Sequence, residues 1–230
     1  SELVKLNIML ILNEKYGIVE SDFISAELEA VPAFKAKDVG FDRSLVGAYG
    51  QDDRVCAYTE LMAVLELNNP EKTAVAILTD KEETGSDGNT GLRYFIADLA
   101  STFGVKGRTV LQNSRCLSAD VNAAFDPTFP DVFEKRNSAL LNGGVCVTKY
   151  TGSRGKSGTS DASAEFAGEI RRLLDANGVI WQTGELGKVD IGGGGTVAAY
   201  IANLDVNTID VGVPVLSMHA PFEITAKTDI

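Results

Sequence analysis

Histidine is almost absent from these 230 residues, with His219 the only one. Cysteine is scarce as well. Cys56, Cys116 and Cys146 are far apart, odd in number and without CxxC spacing. That pattern excludes a Cys-rich zinc site and disfavours a disulfide scaffold. It fits a reducing compartment, and a cytoplasmic location is expected. Each cysteine reads as a small buried hydrophobe. Any metal must therefore take oxygen ligands plus His219. No apolar run reaches about 18 residues, so no transmembrane helix is expected, and no signal peptide is visible. Basic residues are outnumbered, 21 Lys and Arg against 32 Asp and Glu, leaving a net charge of -11. This argues against nucleic acid and anionic membrane surfaces as partners. The chain begins at Ser1 and not at a methionine, which points to removal of the true N-terminus.

What is present suffices for a sizeable core. Hydrophobic residues make up 44% of the chain, and the length suits one large domain, or one domain plus part of another. Residues 1 to 16 read as a helix with Val4, Ile8, Ile11 and Leu12 on one face and Gly17 as its stop. Ile24, Ala26, Leu28 and Ala30 alternate with Ser25, Glu27 and Glu29, as in a half-exposed strand that Pro32 ends. The segment from Asp42 to Gly50 looks irregular. A helix follows with Val55, Tyr58, Met62 and Leu65 on one face, and Asp52 or Asp53 is placed to cap it. Ala74 to Leu78 reads as a buried strand. Leu92, Phe95, Ile96, Leu99 and Phe103 mark the buried face of another helix.

Val110 to Ser118 leads to Asp120, Asp126 to Pro130 is a loop, and Val145 to Tyr150 is a short strand. Gly152 to Ser160, rich in glycine and serine, reads as a mobile loop. Asp161 is placed to cap a helix carrying Phe166, Ile170 and Leu173, which Gly178 closes. Val179 to Trp181 is a strand candidate, and Gly192 to Gly195 precede a short helix from Thr196. Ile209 to Met218 reads as the last buried strand and delivers His219. From about residue 52 the strands and helices alternate, which predicts an α/β fold with a parallel or mixed sheet covered on both faces. The first 45 or so residues stand outside this rhythm and suggest another domain.

The stretch Thr79-Asp80-Lys81-Glu82-Glu83-Thr84-Gly85-Ser86 follows the strand candidate at 74 to 78. Sites in open α/β sheets gather at the carboxyl ends of strands. In extended backbone, neighbouring side chains point opposite ways. One glutamate can then hold a metal while the other handles a proton. On spacing alone a solvated acidic turn is the simpler reading. Asp52, Glu82 with Glu83, Asp120 and His219 each sit where a strand ends or a helix begins. Oxygen ligands plus imidazole suit zinc, manganese or cobalt. A pair of divalent ions about 3.5 to 4 Å apart needs a bridging carboxylate, terminal ligands and a further carboxylate for the proton. Taken singly, Asp52, Asp120 and His219 read as a cap or as solvated or structural residues. Their joint placement makes a site geometrically possible, with one ligand too few.

Four stretches, VGAYGQDDRVCAYTEL, ILTDKEETGS, CLSADVNAAFDP and TIDVGVPVLSMHAPFE, resemble the aspartyl aminopeptidase family in order and spacing. These are oligomeric, zinc-dependent exopeptidases. The resemblance implies a three-layer αβα mixed sheet of the zinc-exopeptidase type. It implies that Asp52 bridges two divalent ions, with Asp53 the weaker choice. Glu82 would be the general base, Glu83 and His219 ligands of one ion, and Asp120 a ligand of the other. Lys149 and the segment Gly193, Gly194 and Thr196 would lie near a peptide substrate. The backbone N–H groups of that segment suit an anion or a developing oxyanion. Family members carry a second ligand histidine in an N-terminal His-x-Asp motif, which is missing here. They also insert a dimerisation domain before the bridging aspartate. Residues 1–45 resemble its tail and 46–230 the C-terminal part of the catalytic domain, so the C-terminal half of a longer chain is expected. The resemblance further implies homo-oligomers, dimers building a dodecamer.

Two rival readings remain. One is a non-catalytic assembly or scaffold module of the same fold, which the missing histidine motif favours and Glu82, not a ligand, disfavours. The other is nucleotide binding by the glycine stretches. It is weak because Gly187-Lys188 precedes Val189, Gly192 to Gly195 lacks GxGxxG spacing, and Tyr150 stands where Gly155-Lys156-Ser157 would need a glycine.

Overall fold

A computed structural model describes residues 2–84, 92–154, 157–188 and 190–230. The chain divides into two compact units, Ser1–Ala33 and Phe34–Ile230. In the first, the predicted helix forms as α1, Glu2–Tyr16. Gly17 ends it at φ 71°, its N–H reaching back to the Asn13 carbonyl. A single 3₁₀ turn, Glu20–Ile24, follows. The alternating stretch from Ile24 to Ala30 is not a strand, and its residues are exposed. Alternation supplies a face, but a strand also needs a ladder partner, and the described residues offer it none.

In the second unit the segment expected to be irregular holds β2, Leu45–Ala48, paired antiparallel with β1, Lys37–Val39. The helix α2 spans Gln51–Leu65. Neither Asp52 nor Asp53 caps it. Gly50 is the N-cap, and both aspartates have non-helical φ/ψ. Val55 is buried, whereas Tyr58 and Leu65 of the expected apolar face are exposed. Ala74 to Leu78 forms no strand, and Val75 and Leu78 are exposed. Only Ile77 and its neighbour Ala76 are half-buried, and among the described residues no strand pairs with the run.

The helix α3, Leu92–Thr102, buries Ala100 and packs Ile96 and Ala97, while Phe95, Leu99 and Phe103 are exposed. A helix not foreseen, α4, Gly107–Gln112, precedes β3, Arg115–Ser118. There follow β4, Asn122–Ala123; β5, Val145–Thr148; and β6, Gly152–Ser153. The loop read as mobile is partly pinned, because β6 pairs with β8, Gly193–Gly194; Gly155 and Lys156 lie outside the described residues. α5, Ala164–Ala176, is capped by the Ser163 hydroxyl, which accepts from the Phe166 N–H, and not by Asp161. β7 is Trp181–Thr183 and α6 is Ala198–Ala202. The run read as one last strand is two, β9, Asn207–Gly212, and β10, Pro214–Leu216, and a further strand, β11, Glu223–Ala226, follows.

The fold class is the mixed α/β arrangement expected. One sheet runs β1-β2-β11-β10-β4 and another β3-β9-β5-β7. β3 and β9 are parallel, as are β4 and β10, so the same two chain segments leave one sheet and enter the other together. At that crossing a Cβ on Gly212 would stand 1.6 Å from the Asp120 carbonyl oxygen. No side chain fits there. Gly212→Ala is expected to push Asp120 out of place and weaken divalent-ion binding, read by calorimetric titration of zinc into the chelator-stripped protein.

Alternate residues of β9 face opposite layers. Ile209 and Val211 pack on α5 through Phe166 and Ile170. Cys116, the register partner of Thr208, belongs to the cluster of Leu111, Ile201 and Val206 from α4, α6 and the turn before β9. Helices thus cover both faces. Ile209 is completely buried, and Ile209→Ala is expected to cost about 2–5 kcal/mol in denaturant unfolding. Among the described residues no helix is long and apolar enough to cross a membrane, and the three cysteines are free thiols.

Candidate metal centre

A third core cluster lies under the crossing. Val55 and Cys56 of α2, Val121, Val213 and Val215 are buried together, with Ala119 and Met218 against them. Each is one to six residues from a candidate ligand. Packing this cluster therefore brings the start of α2, the end of β3 and the end of β10 to one place.

His219 Nε2 lies 2.9 Å from Asp52 Oδ2 and 2.9 Å from Glu83 Oε1. Asp52 is largely shielded, and His219 and Glu83 are open to solvent. These three residues offer ligand atoms all within 4.8 Å of one another, and so do Asp52, Asp53 and Asp120. Asp52 belongs to both groups. Glu82 is near but in neither group. Ligand atoms sharing a tetrahedral zinc lie about 3.3 Å apart, so the two His219 contacts need to open by only a few tenths of an ångström. The second group has no imidazole. Asp53, absent from the sequence-based ligand set, joins it with a buried oxygen, Oδ1, that has no hydrogen-bond partner among the described residues.

Glu82 and Glu83 stand in a 3₁₀ turn, Glu82–Thr84, and not at the end of an extended strand. Successive residues of such a turn diverge by about 120°, so the two side chains still separate. Lys81 before them is left-handed at φ 65°. The Gly85, Ser86 and Gly88 positions after them lie outside the described residues.

The electrostatics are those of packed carboxyls. Burial, then the charge of Glu83, pushes Asp52 up to about 6, and His219 pulls it back. Burial, with Asp52 and Glu60 adding to it, pushes Asp53 up to about 7. Burial, then Asp53 and Glu82, pushes Asp120 up to about 9. Glu82 is raised by burial and by Glu83. Such groups hold protons more tightly folded than unfolded, where an aspartate sits near about 3.9. Their contribution to stability is full below that value and is lost as pH rises through the folded values. The chelator-treated chain is therefore expected to melt at progressively lower temperature between about pH 4 and pH 9. A divalent cation replaces those protons, so its affinity is expected to rise over the same range. A flat melting profile in chelator would contradict this.

The donor set therefore fits a divalent cation. It joins hard carboxylate oxygens to an imidazole, one carboxyl is shared, and a buried carboxyl oxygen lacks a donor.

The substrate-side candidates lie differently. Lys149 Nζ is 2.5 Å from Asp161 Oδ1, which offsets its charge. Gly193 and Gly194 form β8 against β6, and Gly193 has φ 104° with no room for a Cβ beside the Gly152 carbonyl. Thr196 is buried, its hydroxyl accepting from the Ala198 N–H and lying against Asp210. Asp210 faces Ser118 across β3 and β9 and is among the charges that raise Asp120. Sequence reasoning passed over Glu223 altogether. It is 2% exposed, and its carboxylate accepts from the backbone N–H of both His219 and Asp52. No local pattern marked it, because the pairing of its strand with β2 is what turns it inward.

A mixed α/β fold with carboxylates and an imidazole meeting at strand ends defines the zinc-exopeptidase class. The family described as aminopeptidase I zinc metalloprotease (M18) matches residues 1–230, and the chain belongs to it. The chain is 58% identical over 236 residues to "Probable M18 family aminopeptidase 1" of Clostridium acetobutylicum, covering 99% of this chain and 51% of that protein. The protein of the same name in Thermotoga maritima is 50% identical, with 100% of this chain and 53% of that protein covered. The crystal structure of aminopeptidase I from Clostridium acetobutylicum superposes with a TM-score of 0.90 at 56% identity, over 96% of this chain and 50% of that one. The chain thus spans about half the length of these relatives.

Proposed function

We propose that this chain carries the metal-binding and proton-transferring part of an aminopeptidase that removes N-terminal residues from peptides. The observation that carries this is the placement of His219 Nε2 at 2.9 Å from both Asp52 and Glu83, in a chain of a zinc metalloprotease family. Asp52 would be shared by two divalent ions, zinc or, with the same ligands, manganese or cobalt. Glu83 and His219 would hold one, and Asp120, with Asp53 beside it, would help hold the other. When bound, the metal supplies a water of lowered pKa and a Lewis acid for the peptide carbonyl. Glu82, raised by burial and by Glu83, would be the group that holds the proton and passes it to the leaving amine. The carboxylates together favour the cationic α-amine of a peptide. Lys149 and the backbone of Gly193, Gly194 and Thr196 lie on the substrate side.

Residues 1–45 belong with a dimerisation domain and 46–230 with the catalytic domain. Leu3, Val4, Leu6, Ile8, Leu10 and Ile11 of α1 are all about half exposed or more, which supports burial against another copy in a homo-oligomer, dimers assembling to a dodecamer. A second reading, a non-catalytic assembly module, draws on the absence of an imidazole from the Asp52, Asp53 and Asp120 group. Metal content and release of N-terminal residues from peptides separate the two. The peptidase reading expects bound zinc and cleavage by the natural protein, both lost with chelator. Zinc-independent folding without cleavage would favour the assembly module.

A further inference from the structure

Glu223 is one of the largest fully buried side chains of the second unit, and it carries a carboxyl group. Its strand is fixed by two ladders. Glu223 opens β11 opposite Ala48 of β2, and β11 also pairs with β10. From this fixed root the side chain divides its two oxygens. Oε1 accepts from the His219 N–H at 2.7 Å, and Oε2 accepts from the Asp52 N–H at 3.1 Å. Those residues lie on different elements, the turn after β10 and the first turn of α2, and their side chains meet at 2.9 Å. His219 is left-handed at φ 65°, as is Ser217 at 61°. A histidine seldom keeps that conformation unless its surroundings impose it.

We infer that Glu223 is a positioning residue for the metal centre, its single buried carboxylate tying the backbones of Asp52 and His219 so that their side chains converge on one cation. It touches neither substrate nor metal. It acts by holding two ligands in register before the cation arrives. This rests on the assignment of Asp52 and His219 proposed above.

Asp229 provides an internal comparison. It too is buried and accepts from two backbone N–H groups, those of Asn142 and Gly144, but it serves a loop that carries no candidate ligand. In Glu223→Gln one oxygen is kept and an NH₂ is set against an N–H donor, at nearly unchanged volume. The test is zinc affinity by chelator competition in the natural protein, its Glu223→Gln variant and its Asp229→Asn variant. It is read together with melting temperatures with and without zinc and the visible spectrum of the cobalt(II) forms. Glu223→Gln is expected to weaken zinc by about 10–100-fold, to shrink the zinc-induced rise in melting temperature and to change the cobalt spectrum. Asp229→Asn is expected to lower both melting temperatures alike and leave affinity and spectrum as in the parent. If Glu223→Gln does not fold, Glu223→Asp, which keeps the charge but falls one methylene short, is read in the same way. Parent-like affinity and spectrum in the folded variant, with both melting temperatures lowered equally, overturns the inference and leaves the metal site standing. A parent that binds no zinc overturns both.

Discussion

Glu82→Gln is expected to lower kcat for removal of an N-terminal residue by about 10²–10⁴-fold, the usual contribution of a positioned acid–base group. That loss corresponds to about 2.7–5.5 kcal/mol of transition-state stabilisation. Bound zinc should be unchanged, because Glu82 is in neither ligand group. The reason lies in how the turn divides two adjacent glutamates. Glu83 reaches His219 and is a ligand in the proposed site. Glu82 belongs to neither ligand group, is half-buried, and has its carboxyl raised by burial and by its neighbour's charge. A carboxyl so raised accepts a proton from a metal-polarised water more readily than an ordinary surface glutamate. The amide of glutamine keeps size and polarity and abolishes that step alone. Metal content by mass spectrometry and steady-state kinetics on the same sample decide it. Equal loss of zinc and activity would make Glu82 a ligand and not a base.

Asp52→Asn should do the opposite, removing both metal equivalents. Asp52 is the one residue common to the two ligand groups, whereas His219→Ala and Asp120→Ala each strike one. The asparagine variant is also expected to change stability in two directions. Burial and the charge of Glu83 push Asp52 up to about 6, so in the metal-free chain its ionisation costs stability once pH rises through that value. Asparagine removes that cost. At pH 8 the metal-free variant should melt at or above the metal-free parent, while the parent in zinc should melt well above the variant in zinc, as linkage requires of a ligand bound only by the folded state. A variant destabilised equally in both conditions would make Asp52 a structural residue.

Much of this was legible where a local pattern and the tertiary structure agree. α5 shows apolar spacing, buried Phe166 and Ile170, and a terminal Gly178 at φ 66°. The chemistry-bearing residues stood out because carboxylates and the only histidine fall at element ends. Legibility failed where a partner far along the chain decides the outcome. Ala74 to Leu78 has the composition of a buried strand, but burial depends on neighbours that no local pattern encodes, and Val75 and Leu78 are exposed. Asp52 has the composition of a helix cap and instead turns its side chain to His219, while its backbone N–H goes to Glu223, 171 residues away. Glu223 was invisible for the same reason. Its spacing from His219 suggests one helical face, and only the β2–β11 ladder turns it inward. Asp53 reads as a duplicate of Asp52 until the crossing of β3 and β9 brings Asp120 beside both.

The most direct measurement is anomalous diffraction at the zinc edge from crystals of the zinc-loaded natural protein. Two peaks about 3.5–4 Å apart, one beside Glu83 and His219, the other beside Asp120, with Asp52 between them, are expected. A single peak remote from Asp52, or a pair that Asp52 does not bridge, would contradict a shared-carboxylate centre.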